Sequence, residues 1–462
     1  MTLQPWFERA KLGIFVHWGI YAVRGVAESW SFFNGQISYQ DYMAQCDGFT
    51  AVRYDAEAWV RLFAEAGARY AVLTAKHHDG VALWDTAASD LSVVRRTPAG
   101  RDLIAPYADA MRRHGLKAGL YFSHLDWSHP DYPTVRPAHV AQENRFAYPV
   151  EGAEDPAAWE RFLVFHRAQI AELIDRFGPD LLWFDGDWER DERQWRMKEL
   201  RADILARSPE VILNARMRGY GDYATPEQGV PIEPPPGPWE LCLTVNDSWG
   251  WQAHDTNFKS VRQLIQIFAE TIGGGGNLLL DVGPRADGTI APEQSGRLRG
   301  LGAWIGRNSD AIYDTGRGLP PGHFYGASTL SLDRRTLYLT CFDRPAEYLS
   351  VRGLRSRVRR ASVVSTGAGL PVRAVGGMGE VPGIGYISVS GVELDEYATV
   401  IALELDGELD LYRGSGRALP GDARPGPRQG RKVTAVSVIS LDWEKSTCNA
   451  TDLRAKKGNL AA

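Results

Sequence analysis

The chain has 462 residues, too many for one ordinary core, so a large domain with a smaller companion is expected. Apolar residues at 44% and charged residues at 24% describe a folded globular protein and exclude a disordered one. The net charge is −5 with no basic stripe, which argues against nucleic acid as a partner.

The first residues, Met1 to Arg9, lack the basic start and apolar run of a secretory leader. No stretch reaches the roughly 18 apolar residues of a membrane span, so neither membrane nor export is expected and the protein reads as cytoplasmic. Gly13 to Gly19 reads as a first strand and its turn. Asp55 can cap a helix bearing Trp59, Leu62 and Phe63 on one face. The apolar run Tyr70 to Ala75 is a buried strand that ends in Lys76-His77-His78-Asp79-Gly80. A helix around Leu103 to His114, a strand Ala118 to Phe122 and a helix Trp159 to Phe177 lead to the strand that ends at Asp185. Further strands are Val211 to Asn214, Leu241 to Val245 and Asn277 to Leu280, with a helix after Ser260 carrying Val261, Leu264, Ile265 and Phe268. Gly273 to Gly276 is followed by no Gly-Lys-Ser/Thr, so it is a helix-to-strand turn and not a phosphate loop.

Continuous apolar strands alternating with amphipathic helices predict an α/β fold, a (β/α)8-like, TIM-type barrel over residues 1–318, although eight clean repeats are not visible. After Leu319-Pro320-Pro321 the texture changes to short strands, among them Arg335 to Thr340, Tyr386 to Val389 and Thr399 to Leu403. Residues 319–413 are therefore predicted as a small β-sandwich. Residues 414–462 are rich in Gly, Pro and Arg with one apolar run, Val433 to Leu441, and read as a disordered tail or an appendage foreign to both domains. The four cysteines, Cys46, Cys242, Cys341 and Cys448, lie far apart, show no metal or redox spacing, and are expected to be reduced. A homo-oligomer is compatible with this sequence.

The chemistry concentrates at strand ends, where a parallel barrel builds its site. His17, His77, His78, Tyr121, Trp127, Asp185, Arg216 and the loop of Glu227 come from different strands and would converge on one mouth. In Leu181-Leu182-Trp183-Phe184-Asp185-Gly186-Asp187-Trp188 a carboxylate ends a buried strand between aromatic walls, Trp183 and Trp188, suited to packing on a pyranose. Capping of the next helix by Asp185 is the plainer alternative. Two chemistries compete for the set. Histidines and an aspartate could hold a metal and activate water, as in barrel amidohydrolases, but the first strand offers only His17. His77 and His78 would point to opposite sides if extended. Neutral histidines could instead hydrogen-bond sugar hydroxyls, and glycoside hydrolysis needs a second carboxyl beside Asp185. Glu227, in Thr225-Pro226-Glu227, is the first choice and Glu240, beginning a buried strand, the second.

His17-Trp18-Gly19, Lys76 to Gly80, Leu182-Trp183-Phe184-Asp185-Gly186, Trp239-Glu240 and Gly275-Gly276-Asn277-Leu278-Leu279-Leu280-Asp281-Val282-Gly283-Pro284 together resemble the α-L-fucosidases of glycoside hydrolase family 29. Asp287-Gly288-Thr289-Ile290 and Asp310-Ala311-Ile312-Tyr313 are also similar, so the resemblance spans residues from about 6 to 316. It implies retaining hydrolysis of fucosylated glycans; no cofactor and no metal are expected, the histidine set being better suited to sugar hydroxyls than to a metal cage. Asp185 would be the nucleophile and Glu227 the acid/base. His17, His77, His78, Tyr121 and Arg216 would hold the fucose, and Trp30 would pack near its C5 methyl group. Glu28-Ser29-Trp30 departs from the commoner Glu-Trp order. The two carboxyls of a retaining pair are expected about 5–5.5 Å apart. A non-catalytic fucose-binding protein would keep the aromatics and histidines but lack one carboxylate.

Overall fold

The strands β1 (Leu12–Val16), β2 (Tyr70–Lys76), β3 (Lys117–Ser123), β4 (Leu181–Asp185), β5 (Ile212–Leu213), β6 (Glu240–Thr244) and β7 (Asn277–Val282) run parallel, in the order β5-β4-β3-β2-β1-β7-β6. They belong to a computed structural model that describes residues 3–132 and 155–414. Almost every strand residue is buried, as the unbroken apolar runs require of a sheet covered on both faces. Helices separate the strands where the sequence places its starts. Asp55 accepts from the Ala58 backbone at the head of Ala56–Glu65. Asp155 and Pro156 open the helix that ends at Phe177, and Gly178 closes it in the left-handed conformation. Ser260 and Gln263 form a reciprocal capping box on Val261–Gly273.

The eighth barrel position is not a regular strand. Residues 222–228 fill it, with Tyr223 bridged to Asn214 on one side and Ala224 and Glu227 bridged to Trp239 and Cys242 on the other. Pro226 has no N–H, yet its carbonyl accepts from Cys242 at 3.1 Å, and the Gln228 N–H donates to the Cys242 carbonyl at 2.9 Å. This stretch climbs beside β6, ends at the mouth at Glu227, and returns without a helix. That is why the sequence shows no eighth repeat.

Alternation divides the strand residues between two layers. Ile14, Leu73, Phe122, Leu182 and Leu280 face the helices. Phe15, Tyr70, Val72, Tyr121, Leu181, Trp183 and Leu279 fill the interior, with Phe7 beneath. The Tyr70 ring lies where a Cβ on Gly13 would stand, 2.3 Å away, so only glycine lets the ring cross β1.

The remaining strands are β8 (Thr315–Arg317), β9 (Ala327–Ser331), β10 (Thr336–Cys341), β11 (Tyr348–Val351), β12 (Val358–Val363), β13 (Val372–Val375), β14 (Ile384–Ser388) and β15 (Thr399–Leu405). They form a five-stranded antiparallel sheet, β12-β15-β10-β9-β8, and a three-stranded one, β11-β14-β13. Leu337, Leu339, Ile401 and Leu403 pack with Leu349, Val351 and Ile387 between them, which makes a sandwich. Its first strand precedes residue 319. On the other face Val400 joins the barrel core, and the Trp304 indole donates to the Ala398 carbonyl at 2.8 Å. Residues 415–462, including Val433 to Leu441 and Cys448, lie outside the described residues. Among the described residues no helix is long and apolar enough to cross a membrane.

Candidate active site

The parity that fills the interior also aims side chains into the mouth. Two positions beyond Phe15 is His17, and two beyond Trp183 is Asp185, so both continue the inward rows. Gly186, with φ of +80°, turns the chain sharply after Asp185, and a Cβ there would meet the Leu125 side chain at 2.5 Å. In β2 the register slips between Thr74 and Lys76, which reverses the parity. Lys76 therefore points outward, its ammonium on Asp126 at 3.0 Å and over the Phe122 ring, while His77 points inward.

These rows surround a cavity of about 230 Å3. His17, Trp30, His77, Tyr121, Trp183, Asp185, Arg216 and Glu227 are among the residues that line it. His78 stands behind the wall with Nε2 3.8 Å from Asp185 Oδ2. Trp127 is further back, stacked on Phe33 and meeting Trp30 and His78 edge-on or tilted. Chain extension would separate His77 from His78, but the turn at Gly80 folds them together, with ring centroids 4.2 Å apart on the same side. The opposite-sides expectation fails because these residues lie beyond the end of β2.

Glu240 is not at the mouth. It starts β6, and Cys242, the next inward residue of that strand, forms part of the cavity lining. Two residues of strand rise put Glu240 about 7 Å lower. There it accepts hydrogen bonds from Tyr70 and from the Trp183 indole at 2.9 Å, with the Tyr223 hydroxyl at 3.4 Å. Burial pushes its carboxyl up to about 7 despite those donors.

Asp185 and Glu227 share one cation. Arg216 Nη1 donates to Asp185 Oδ1 at 2.6 Å and Nη2 to Glu227 Oε2 at 2.5 Å, with the guanidinium over the Trp183 ring. Both carboxylates thus lie within the span of a single planar fork. Tyr121 donates to the other oxygen of Asp185 at 2.9 Å. Burial would raise the Asp185 carboxyl, but Arg216, His78 and these hydrogen bonds hold it below the ordinary carboxylate range. Glu227 is 40% exposed and faces water.

The histidines are neutral. Burial lowers His17 and His78 to about 4 and His77 well below its usual value. Each Nδ1 is anchored, His17 to Asp281 at 2.7 Å, His77 to Ser29 at 2.6 Å and His78 to Ser123 at 2.6 Å, which leaves Nε2 of the cavity-lining His17 and His77 for the interior and that of His78 buried beside Asp185. Among the described residues no group of three or more histidine, cysteine or acidic side chains could hold a metal ion.

The cavity also includes Trp188, one of the two aromatic walls expected around Asp185, and Phe15, Glu28, Cys242 and Trp249, which the set of strand-end candidates omitted. Glu28 is buried with its carboxyl raised by burial, and it accepts from the Gly250 N–H at 2.5 Å. That bond ties the Glu28-Ser29-Trp30 segment to Trp249-Gly250-Trp251. Trp249, tilted against His17 at 4.9 Å, follows β6 by a few residues, so extending the strand-end search past Val245 would have found it.

The α-L-fucosidase family profile matches residues 1–310. The chain belongs to the α-L-fucosidase family. It is 31% identical over 342 residues to the tissue α-L-fucosidase of Rattus norvegicus, an alignment covering 67% of this chain and 70% of that one. Among solved structures it resembles α-L-fucosidase isoenzyme 1 from Paenibacillus thiaminolyticus, with a TM-score of 0.78, 34% identity and coverage of 87% and 98%. It also resembles a family 29 α-L-fucosidase from Bacteroides thetaiotaomicron, a trapped covalent intermediate in complex with 2-fluoro-fucosyl fluoride, with a TM-score of 0.76, 25% identity and coverage of 86% and 94%. The enzyme is a family 29 glycoside hydrolase with a barrel and a C-terminal β-domain.

Proposed function

We propose that the enzyme is a retaining exo-α-L-fucosidase that removes terminal fucose from oligosaccharides or glycoconjugates through a covalent fucosyl–Asp185 ester. The observation that carries this reading is the Arg216 fork joining Asp185 and Glu227 over one small cavity. At about 230 Å3 the cavity is smaller than the roughly 300–1,000 Å3 clefts that hold drug-sized ligands, which suits a single terminal sugar. Neutral histidine Nε2 atoms and the Tyr121 hydroxyl offer directional partners for its hydroxyl groups, and Trp30, Trp183 and Trp249 offer apolar faces.

Asp185, kept ionised by Arg216, attacks the anomeric carbon. Glu227, at the water-facing rim, enters the step carrying a proton and gives it to the departing oxygen. Water then attacks the ester as Glu227 takes its proton, and fucose leaves with its configuration retained. The covalent intermediate trapped in the Bacteroides relative supports the same two-step course here. Hydrolysis of an aryl α-L-fucoside followed by NMR tests the proposal. The α-anomer should appear first and mutarotate later; β-fucose as first product would refute retention, and no turnover would refute the activity.

A further inference from the structure

Arg216 carries the electrostatics of the site, yet it belongs to no regular strand. After β5 the chain turns tightly, with the Met217 N–H on the Ala215 carbonyl at 2.7 Å and Arg218 in the left-handed region. Two side chains reach that turn from the barrel, Asp187, which accepts from the Arg218 N–H at 2.9 Å, and His124. His124 Nε2 lies 3.2 Å from the Arg216 carbonyl, and His124 Nδ1 lies 3.0 Å from Nε2 of His166, on the helix Pro156–Phe177. The His124 ring stacks on Phe184 at 4.6 Å, and its backbone N–H donates to the Asp185 carbonyl at 2.7 Å.

Hydrogen-bond logic then assigns every ring proton. A carbonyl only accepts, so His124 Nε2 carries the hydrogen and its Nδ1 can only accept. His166 Nε2 must therefore donate, which leaves His166 Nδ1 as a bare acceptor. That atom is buried without a hydrogen-bond partner. We propose that His124 and His166 form a two-ring relay of fixed tautomers that locks the Arg216 backbone to the helix layer, so that the guanidinium stays aimed at both carboxylates. They are positioning residues, touching neither substrate nor reacting atoms, and the proposal rests on the fucosidase reading above. Burial keeps both rings neutral, His124 at about 3 and His166 well below the usual value, with Lys76 and Arg167 facing them as cations and Asp185 as the anion near His124.

Two measurements test the relay. In wild-type enzyme labelled with 15N-histidine, both rings should show the Nε2–H tautomer and no titration between about pH 5 and pH 8. Either ring found as Nδ1–H, or titrating in that range, overturns the proposal. This measurement needs no variant to fold and no substrate, so it stands even if wild-type enzyme fails to cleave fucosides, which would sink the functional reading alone. Secondly, His124→Leu and His166→Leu should lower kcat/KM about tenfold, the scale of one lost buried hydrogen bond. They should also move the acid limb of kcat/KM to higher pH, because Asp185 loses part of the Arg216 charge while keeping Tyr121 and His78. His166→Gln, whose amide still donates to His124, should recover to within about threefold of wild type. Leucine variants with wild-type melting behaviour and an unmoved acid limb would overturn the relay.

Discussion

The division of labour between Glu227 and Glu240 is the sharpest consequence of the geometry. On the proposed mechanism Glu227→Gln removes the proton meant for the leaving oxygen, while leaving Arg216 bound to Asp185 at 2.6 Å. A positioned general acid contributes about 10²–10⁴-fold. The whole of that factor should be lost on a fucosyl disaccharide, whose alkoxide leaves poorly. A dinitrophenyl fucoside needs little protonation, so its glycosylation step should fall less than about tenfold. Deglycosylation then lags, and azide should accelerate it and yield the α-fucosyl azide. Glu240→Gln should show no such dependence on the leaving group, because its carboxyl lies one inward layer below Cys242 and is occupied by Tyr70 and Trp183. Steady-state kinetics on both substrates, with and without azide, decide the matter. Azide rescue and leaving-group dependence in Glu240→Gln, and neither in Glu227→Gln, would refute the layer argument.

Asp185→Gly should abolish turnover with the melting temperature little changed, and azide should yield the β-fucosyl azide; substantial activity without an added nucleophile would remove Asp185 from the role. Arg216→Lys should cost about 10²-fold in kcat/KM, since an ammonium is a point charge and cannot fork to two carboxylates; a loss below threefold would mean the bridge is idle. Chelators should leave the rate unchanged, because among the described residues no group of three or more histidine, cysteine or acidic side chains could hold a metal ion; loss restored by a divalent metal would contradict this. Glu240 also makes a prediction about stability. Its folded value, about 7, lies above the unfolded one near 4.5, so wild type loses stability as pH rises between them, on the order of 3 kcal/mol, and Glu240→Gln does not. The variant should therefore gain melting temperature relative to wild type from pH 4.5 to pH 7.5; a difference independent of pH would count against it.

What the sequence reveals and conceals follows from strand geometry. His17 and Asp185 were legible because each follows by one residue an uninterrupted apolar run, and Tyr121 because it lies one residue before the end of such a run, so parity and the strand-end rule both apply. Glu240 was kept as the second choice for the acid/base although it begins its strand, a position that the same rule assigns to the floor. The inward turn of His77 was not, because it depends on a register slip at Thr74 and Lys76 that no periodicity announces. Nor was the eighth barrel position, where Pro226 and polar neighbours interrupt the pattern and hydrogen bonds to β6 are made by carbonyls and Gln228 instead. Trp249 and Glu28 come from loops joined by one bond to the Gly250 N–H, a long-range contact without a local signature.

The charge arithmetic of the site explains why one arginine and three neutral histidines serve it. In the mechanism proposed above, Asp185 is the anion before the first step, and in the ester the anion would be Glu227. That course would move one negative charge from one end of the Arg216 fork to the other, and the guanidinium would balance it in both states without leaving its place. Protonated histidines would disturb that balance, over-stabilising Asp185 as an anion and weakening it as a nucleophile. Burial keeps His17 and His78 from acquiring that charge until about pH 4. On the proposed mechanism His17 and His77 would then meet the hydroxyl groups through Nε2 without taking part in the charge transfer, so that recognition of the sugar and electrostatic balance would fall to different residues.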